Sequence, residues 1–144
     1  MHTISRVVAG LAALLTLGAC SDATGSLPDF LDCNRVQTHR LGDTELGTLT
    51  DDDCFLPDDF TLVDYYRLEV SGSETFTLTL RSDDFDPFLF IIDDNGDLVA
   101  FDDDGDPGTV LGSRIDITLP RGRYFIGANA VYDDEFGDYT LQSF

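Results

Sequence analysis

The sequence predicts an all-β fold, a single antiparallel β-sandwich of about eight short strands, and three observations predict it. Apolar and polar residues alternate with period two along several segments. No stretch after residue 31 keeps a helical period. Gly, Asp, Asn and Pro cluster between the alternating segments at regular spacing, as hairpin turns require.

The elements follow in order. Residues 46–50 form a first strand. Tyr66, Leu68 and Val70 alternate with Arg67 and Glu69, and Phe76, Leu78 and Leu80 alternate with Thr75, Thr77 and Thr79. Each of these strands buries one face. Ser71-Gly72-Ser73-Glu74 turns the chain between them. Residues 88–92 and 98–101 are continuous apolar runs, expected of central strands covered on both sides. They are joined by Asp93-Asp94-Asn95-Gly96-Asp97, where Asn-Gly favours a tight hairpin. Ile115, Ile117 and Leu119 alternate with Arg114, Asp116 and Thr118, and Pro120-Arg121-Gly122-Arg123 turns into strands over 124–131 and 139–143. Phe76, Phe88, Phe90, Phe101, Tyr124, Phe125 and Tyr139 are expected in the core, whereas Tyr65, Tyr132 and Phe136 are less clearly inward and offer a contact surface.

The N-terminus reads as an address. An eleven-residue apolar run, 7–17, follows Arg6 and is too short to span a bilayer comfortably. It ends in Leu17-Gly18-Ala19-Cys20, which resembles the lipobox of bacterial lipoproteins. That resemblance implies a signal peptide over 1–19, a lipid on Cys20, a tether over 20–34 and a folded domain over 35–144. Ser21 after the cysteine favours the outer membrane of the bacterial envelope. Cys33 and Cys54 then remain as an even pair in an exported chain and are expected to form a disulfide.

The chain has 144 residues, 28 acids against 8 Arg and no Lys, a formal net charge of -20 and a pI near 4.1. Nucleic-acid binding is excluded as a function class, because phosphate neutralisation needs the opposite sign. Among the acids, Asp102-Asp103-Asp104-Gly105-Asp106 places Asp at alternate positions as a calcium loop does. Pro107 and Ser113 stand where an EF-hand has Gly and Glu, so Asp84 or Asp86 from a neighbouring loop would have to complete a cage. Asp84, Asp86, Asp102, Asp103, Asp104 and Asp106 are therefore the candidate calcium ligands, and ordinary turn chemistry is the competing reading of the same residues. No catalytic residue is assigned. No Gly-x-Ser-x-Gly elbow occurs, and His39 is expected at a surface or strand edge.

Asp64-Tyr65-Tyr66-Arg67-Leu68-Glu69-Val70, Phe85-Asp86-Pro87-Phe88-Leu89, Asn95-Gly96, Asp102-Asp103-Asp104, Leu119-Pro120-Arg121-Gly122-Arg123-Tyr124 and Gly137-Asp138-Tyr139-Thr140-Leu141 occur in this order. Together they resemble the bacterial pre-peptidase C-terminal domain over roughly 35–144. The resemblance implies a jelly-roll-like sandwich, usually appended to secreted peptidases and used for targeting or substrate contact. Here the domain would stand behind a lipid anchor. The expected function is a non-catalytic envelope module, calcium-stabilised at its loops, that contacts an extracellular protein or polysaccharide. The alternatives are an accessory subunit of a secreted peptidase or small envelope hydrolase, and an acidic structural surface protein.

Overall fold

The computed structural model describes residues 35–108 and 112–144, and among them there is no helix. Two sheets face each other. The larger has β1 (Val36–His39) and β3 (Cys54–Phe55) beside β4 (Leu62–Val70), followed by β9 (Gly122–Ala130), β6 (Pro87–Asp93) and β7 (Leu98–Asp102). The smaller runs β2 (Thr44–Leu49), β10 (Gly137–Ser143), β5 (Glu74–Ser82), β8 (Ser113–Leu119). All pairings are antiparallel except β1 on β4. Numbered among themselves, the eight longer strands lie in the orders one-eight-three-six and two-seven-four-five, the interleaving of a jelly roll. The expected eight strands form this frame; β1 and β3 are short additions at the β4 edge.

Period-two alternation sets the layers. Tyr66, Leu68 and Val70 of β4, Leu89 and Ile91 of β6, and Ile126, Ala128 and Ala130 of β9 point between the sheets. There they meet Phe76, Leu78 and Leu80 of β5 and Leu141 of β10. The opposite face of the larger sheet is also apolar. Val63, Tyr65, Phe90, Ile92 and Phe125 form a second cluster, joined by Val36, Cys54, Leu56 and Phe88. This explains the unbroken apolar run in β6, which lies inside its sheet with both faces covered.

The same expectation fails for β7. That strand is the sheet edge, and Leu98, Val99 and Phe101 are exposed, Phe101 by 60%. Phe101 is thus not core; its ring tilts against Phe88 from outside. Composition alone does not separate an edge strand from a central one, because only strand order decides which run has a second neighbour.

At Asn95-Gly96 only Gly96 takes a positive φ, of 88°. Asp93 holds the turn, its Oδ1 accepting from the Asn95 and Asp97 amides at 2.8 and 3.0 Å. Those bonds hold the Asp93 carboxyl below the usual carboxylate range.

Connectivity sorts the loops. Residues 50–53 and 56–61, 83–86, 103–108 and 131–136 all emerge at one end, while 40–43, 71–73, 94–97 and 120–121 turn at the other.

Candidate functional site

The loops of the first end carry fourteen acids and no Arg or Lys, whereas those of the other carry Asp43, Asp94 and Asp97 against Arg40 and Arg121. The excess negative charge is therefore polarised along the sandwich. Four exposed aromatics, Phe55, Phe60, Tyr132 and Phe136, share the acidic end.

The six candidate ligands divide into three kinds. Asp102 serves the chain itself: its Oδ2 accepts from the Gly105 amide at 2.7 Å and the Arg114 amide at 2.8 Å. Asp84 likewise accepts from the Asp138 amide at 2.9 Å. Asp106 is 4% exposed and ion-paired with the Arg81 guanidinium. Asp86, Asp103 and Asp104 are different. The Asp86 carboxyl is raised by burial and then by the charges of Asp104, Glu135 and Asp103, which come from the two neighbouring loops. Its Oδ1 is buried without a hydrogen-bond partner, while its amide donates to Glu135 Oε2 at 3.1 Å. Among the described residues, however, no three His, Cys, Asp or Glu side chains are grouped to hold a metal ion. As arranged, the six aspartates do not form one cage.

Two buried polar sites escaped the sequence reading. Asp64, 6% exposed, points between the sheets, where Tyr139 donates to its Oδ2 at 2.5 Å. The Tyr139 and Tyr66 hydroxyls are 2.6 Å apart. Burial raises the Asp64 carboxyl, opposed by the Tyr139 bond, and pushes Tyr66 up to about 12. The signal was present: Asp64 is in phase with Tyr66, Leu68 and Val70, on the face the alternation buries.

His39 is the second. It lies on β1 at the edge of the larger sheet, one of the two positions expected, but it is 1% exposed instead of at the surface, because parallel pairing on β4 sets it beside Tyr66 under the β1–β2 turn. Its Nε2 lies 2.8 Å from Ser143 Oγ and its Nδ1 3.4 Å from Glu45 Oε1. The order of groups resembles a nucleophile, base and acid. Yet Ser143 Oγ accepts the Gly42 amide at 2.9 Å, and Ser143 is itself 1% exposed. In this arrangement it is a clasp tying the β1–β2 turn to β10, closed to a substrate.

Burial lowers the His39 pKa, against the opposing pull of Glu45 and Asp43. The unfolded chain therefore binds the proton near 6.5 while the folded chain still refuses it. Stability is expected to fall as pH drops through 6.5 towards the lowered folded value. Urea midpoints at pH 7.5 and 5.5 measure this, and His39→Gln should flatten the difference. An equal slope in the variant would assign it to other groups.

On the outer face of the smaller sheet, Leu46, Thr48, Arg81, Asp83, Asp84 and Asp138 line an open groove of about 950 Å³. Its polar groups bond mainly to one another: Thr48 donates to Asp138 Oδ1 at 2.6 Å and Ser82 to the Asp138 carbonyl at 2.7 Å. Cys20, Cys33, the leader over 1–19 and the tether over 20–34 lie outside the described residues.

No protein-family model matches the sequence, and no curated protein is significantly similar to it. Solved structures do match. The pre-peptidase C-terminal domain of a collagenase from Bacillus anthracis aligns with a TM-score of 0.57 at 12% identity, covering 76% of this chain and 94% of that one. PliG of Aeromonas hydrophila, a periplasmic inhibitor of g-type lysozyme, aligns with a TM-score of 0.53 at 13% identity, covering 76% and 96%. At such identities the likeness is one of fold, and it is the fold that the sequence resemblance implies.

Proposed function

We propose that this chain is a non-catalytic binding module, held at a bacterial cell envelope, on the outer membrane, by a lipid on Cys20, and that it engages a cationic protein through the acidic end of the sandwich. The observation that carries the reading is the polarity of the loops: fourteen acids in the loops of one end, where Arg35 and Arg81 pair with only Asp53 and Asp106, against near balance in the loops of the other. A coat adapted for solubility gains nothing from such asymmetry. A neutral polysaccharide would draw nothing from it. A basic protein surface would be steered end-on and held. A Cys33–Cys54 disulfide is part of the proposal, fixing the tether beside β3.

The likeness to PliG favours one second reading within this class: the cationic partner is a hydrolase, which the module restrains or accompanies.

Binding to a basic g-type lysozyme and to cytochrome c, as a basic protein of unrelated fold, tests both readings. Affinity for at least one is expected to fall steeply as salt rises from 0.05 to 0.2 M. Asp51, Asp52 and Asp58 changed together to Asn should weaken binding about tenfold or more, of the order expected for losing several facing charges. The same number of neutralisations at the opposite end, at Asp43, Glu74 and Asp97, should leave it nearly unchanged. Equal losses from both triples would mean that net charge alone matters and would defeat the proposal. Inhibition of the lysozyme alone would select the hydrolase reading.

Calcium stabilisation is a separate proposal, resting on the buried, unpartnered Asp86 Oδ1, on whose carboxyl the charges of Asp104, Glu135 and Asp103 act, and it requires these loops to close around the ion. Binding to the native form alone would raise the melting midpoint by several degrees at millimolar calcium over a chelator control. An unchanged midpoint would leave these loops to turn chemistry.

A further inference from the structure

One segment of the acidic end is shaped more tightly than turning the chain requires. Phe60 has φ of 63° and is the one non-glycine residue with positive φ among those described. A bulky side chain in that region is a true outlier and persists only where its surroundings over-determine it. The surroundings do so here. The Phe60 amide donates to the Leu56 carbonyl at 2.8 Å, and the Leu56 amide to the Thr61 carbonyl at 2.9 Å. Asp59 Oδ1 accepts from the Thr61 amide at 3.1 Å and from its hydroxyl at 2.8 Å. Thr61 is buried and takes a further bond from Asn129 Nδ2 at 2.9 Å, which ties the loop to β9 in the middle of the larger sheet.

This scaffold does not bury the Phe60 ring. The ring is 65% exposed and stacks on Phe55, itself 57% exposed, with centroids 6.1 Å apart and planes 27° apart. Hydrophobic burial therefore does not account for the strain. The loops around the pair bear Asp51, Asp52 and Asp58, all exposed. A rigid aromatic surface among carboxylates suits a planar cation, since a guanidinium can lie on the ring face while its N–H groups reach the acids. A second copy of this chain is disfavoured by the same acids, at a net charge of -20 on each.

We propose that the Phe55–Phe60 stack is the anchor of the acidic end, the platform on which an arginine of the cationic protein is seated. The inference rests on the reading under Proposed function and makes a narrower claim: arginine is preferred to lysine, and the preference resides in these two rings.

The test uses the full chain in detergent micelles, with octa-arginine and octa-lysine as probes at 0.15 and 0.5 M salt. The parent is expected to bind octa-arginine more tightly, most visibly at high salt where simple charge is screened. Phe60→Gly removes the ring and keeps the backbone, because glycine accepts positive φ without strain. It should weaken octa-arginine binding about five- to tenfold and octa-lysine binding little. Phe55→Leu should act in the same direction, and it leaves the Phe60 backbone untouched. The Asp51, Asp52, Asp58 triple change to Asn should weaken both probes alike. If the arginine preference survives in both ring variants, the anchor is elsewhere and only the broader reading stands. If the parent binds neither peptide, the broader reading falls too. A parent that sediments as a dimer and a Phe60→Gly variant that does not would make the stack a self-association contact and overturn the inference.

Discussion

Tyr139→Phe is expected to destabilise the sandwich by about 2–3 kcal/mol at pH 7, as taking a hydrogen bond from a buried carboxylate does. Tyr139 supplies the hydrogen bond that Asp64 receives between the sheets, at 2.5 Å, and Phe fills the same space without it. The sign with pH follows from Asp64. Its folded pKa is raised above 3.8 by burial, so its ionisation costs stability as pH rises from the unfolded value through the folded one. Losing the tyrosine raises it further, and the deficit should shrink when Asp64 takes up a proton. Urea unfolding of parent and variant at pH 7 and pH 4.5 gives the comparison. The His39 contribution is common to both chains and cancels in the difference. A deficit equal at the two pH values, or below about 1 kcal/mol at pH 7, would show that the Tyr139 bond is not what makes Asp64 tolerable there.

Gly127→Ala should cost a similar amount for a different reason. Gly127 sits on β9 opposite Phe90 of β6, and the ring lies over its backbone: an added Cβ would meet Phe90 Cζ at 2.1 Å. Such a contact is impossible without moving the ring, and the ring is packed edge-on against Tyr65 in the outer cluster. Overpacking of this kind costs about 1–3 kcal/mol, and a site between two central strands belongs at the top of that range. Phe90→Leu in the same chain should recover part of the loss, a coupling that a double-mutant cycle measures directly. Strictly additive losses would mean that the strand backbone, not the ring, gives way.

Much of the fold was legible in the sequence because a β-sandwich writes its layers locally. Alternation in 66–70, 75–80 and 115–119 gave strand identity and buried face together, and β5 and β8 follow it, whereas β4 buries one face only from Tyr66 on, since Val63 and Tyr65 are buried in the outer cluster. Turn chemistry at Asp93 to Asp97 was also local, the carboxylate and the amides it holds lying within four residues. The errors share one cause. Residues 88–92 and 98–101 look alike as apolar runs, yet β6 has neighbours on both sides and β7 on one. His39 and Asp64 are polar residues buried by partners far along the chain, Ser143 and Tyr139, whose approach no local pattern reports.

The site divides in the same way. Charge, its sign and its concentration in turns came from the sequence, since composition and turn preference are properties of short segments. Which turns share an end did not, because the jelly-roll order folds 50–61, 83–86, 103–108 and 131–136 together from separate parts of the chain. Tertiary structure also decided how the aspartates are used, committing Asp102 and Asp106 to the protein's own amides and guanidinium while bringing the charges of Asp103 and Asp104 to bear on the buried Asp86. Strand order determines such long-range meetings, and it is fixed by the packing of two whole sheets rather than by any residue's neighbours in sequence.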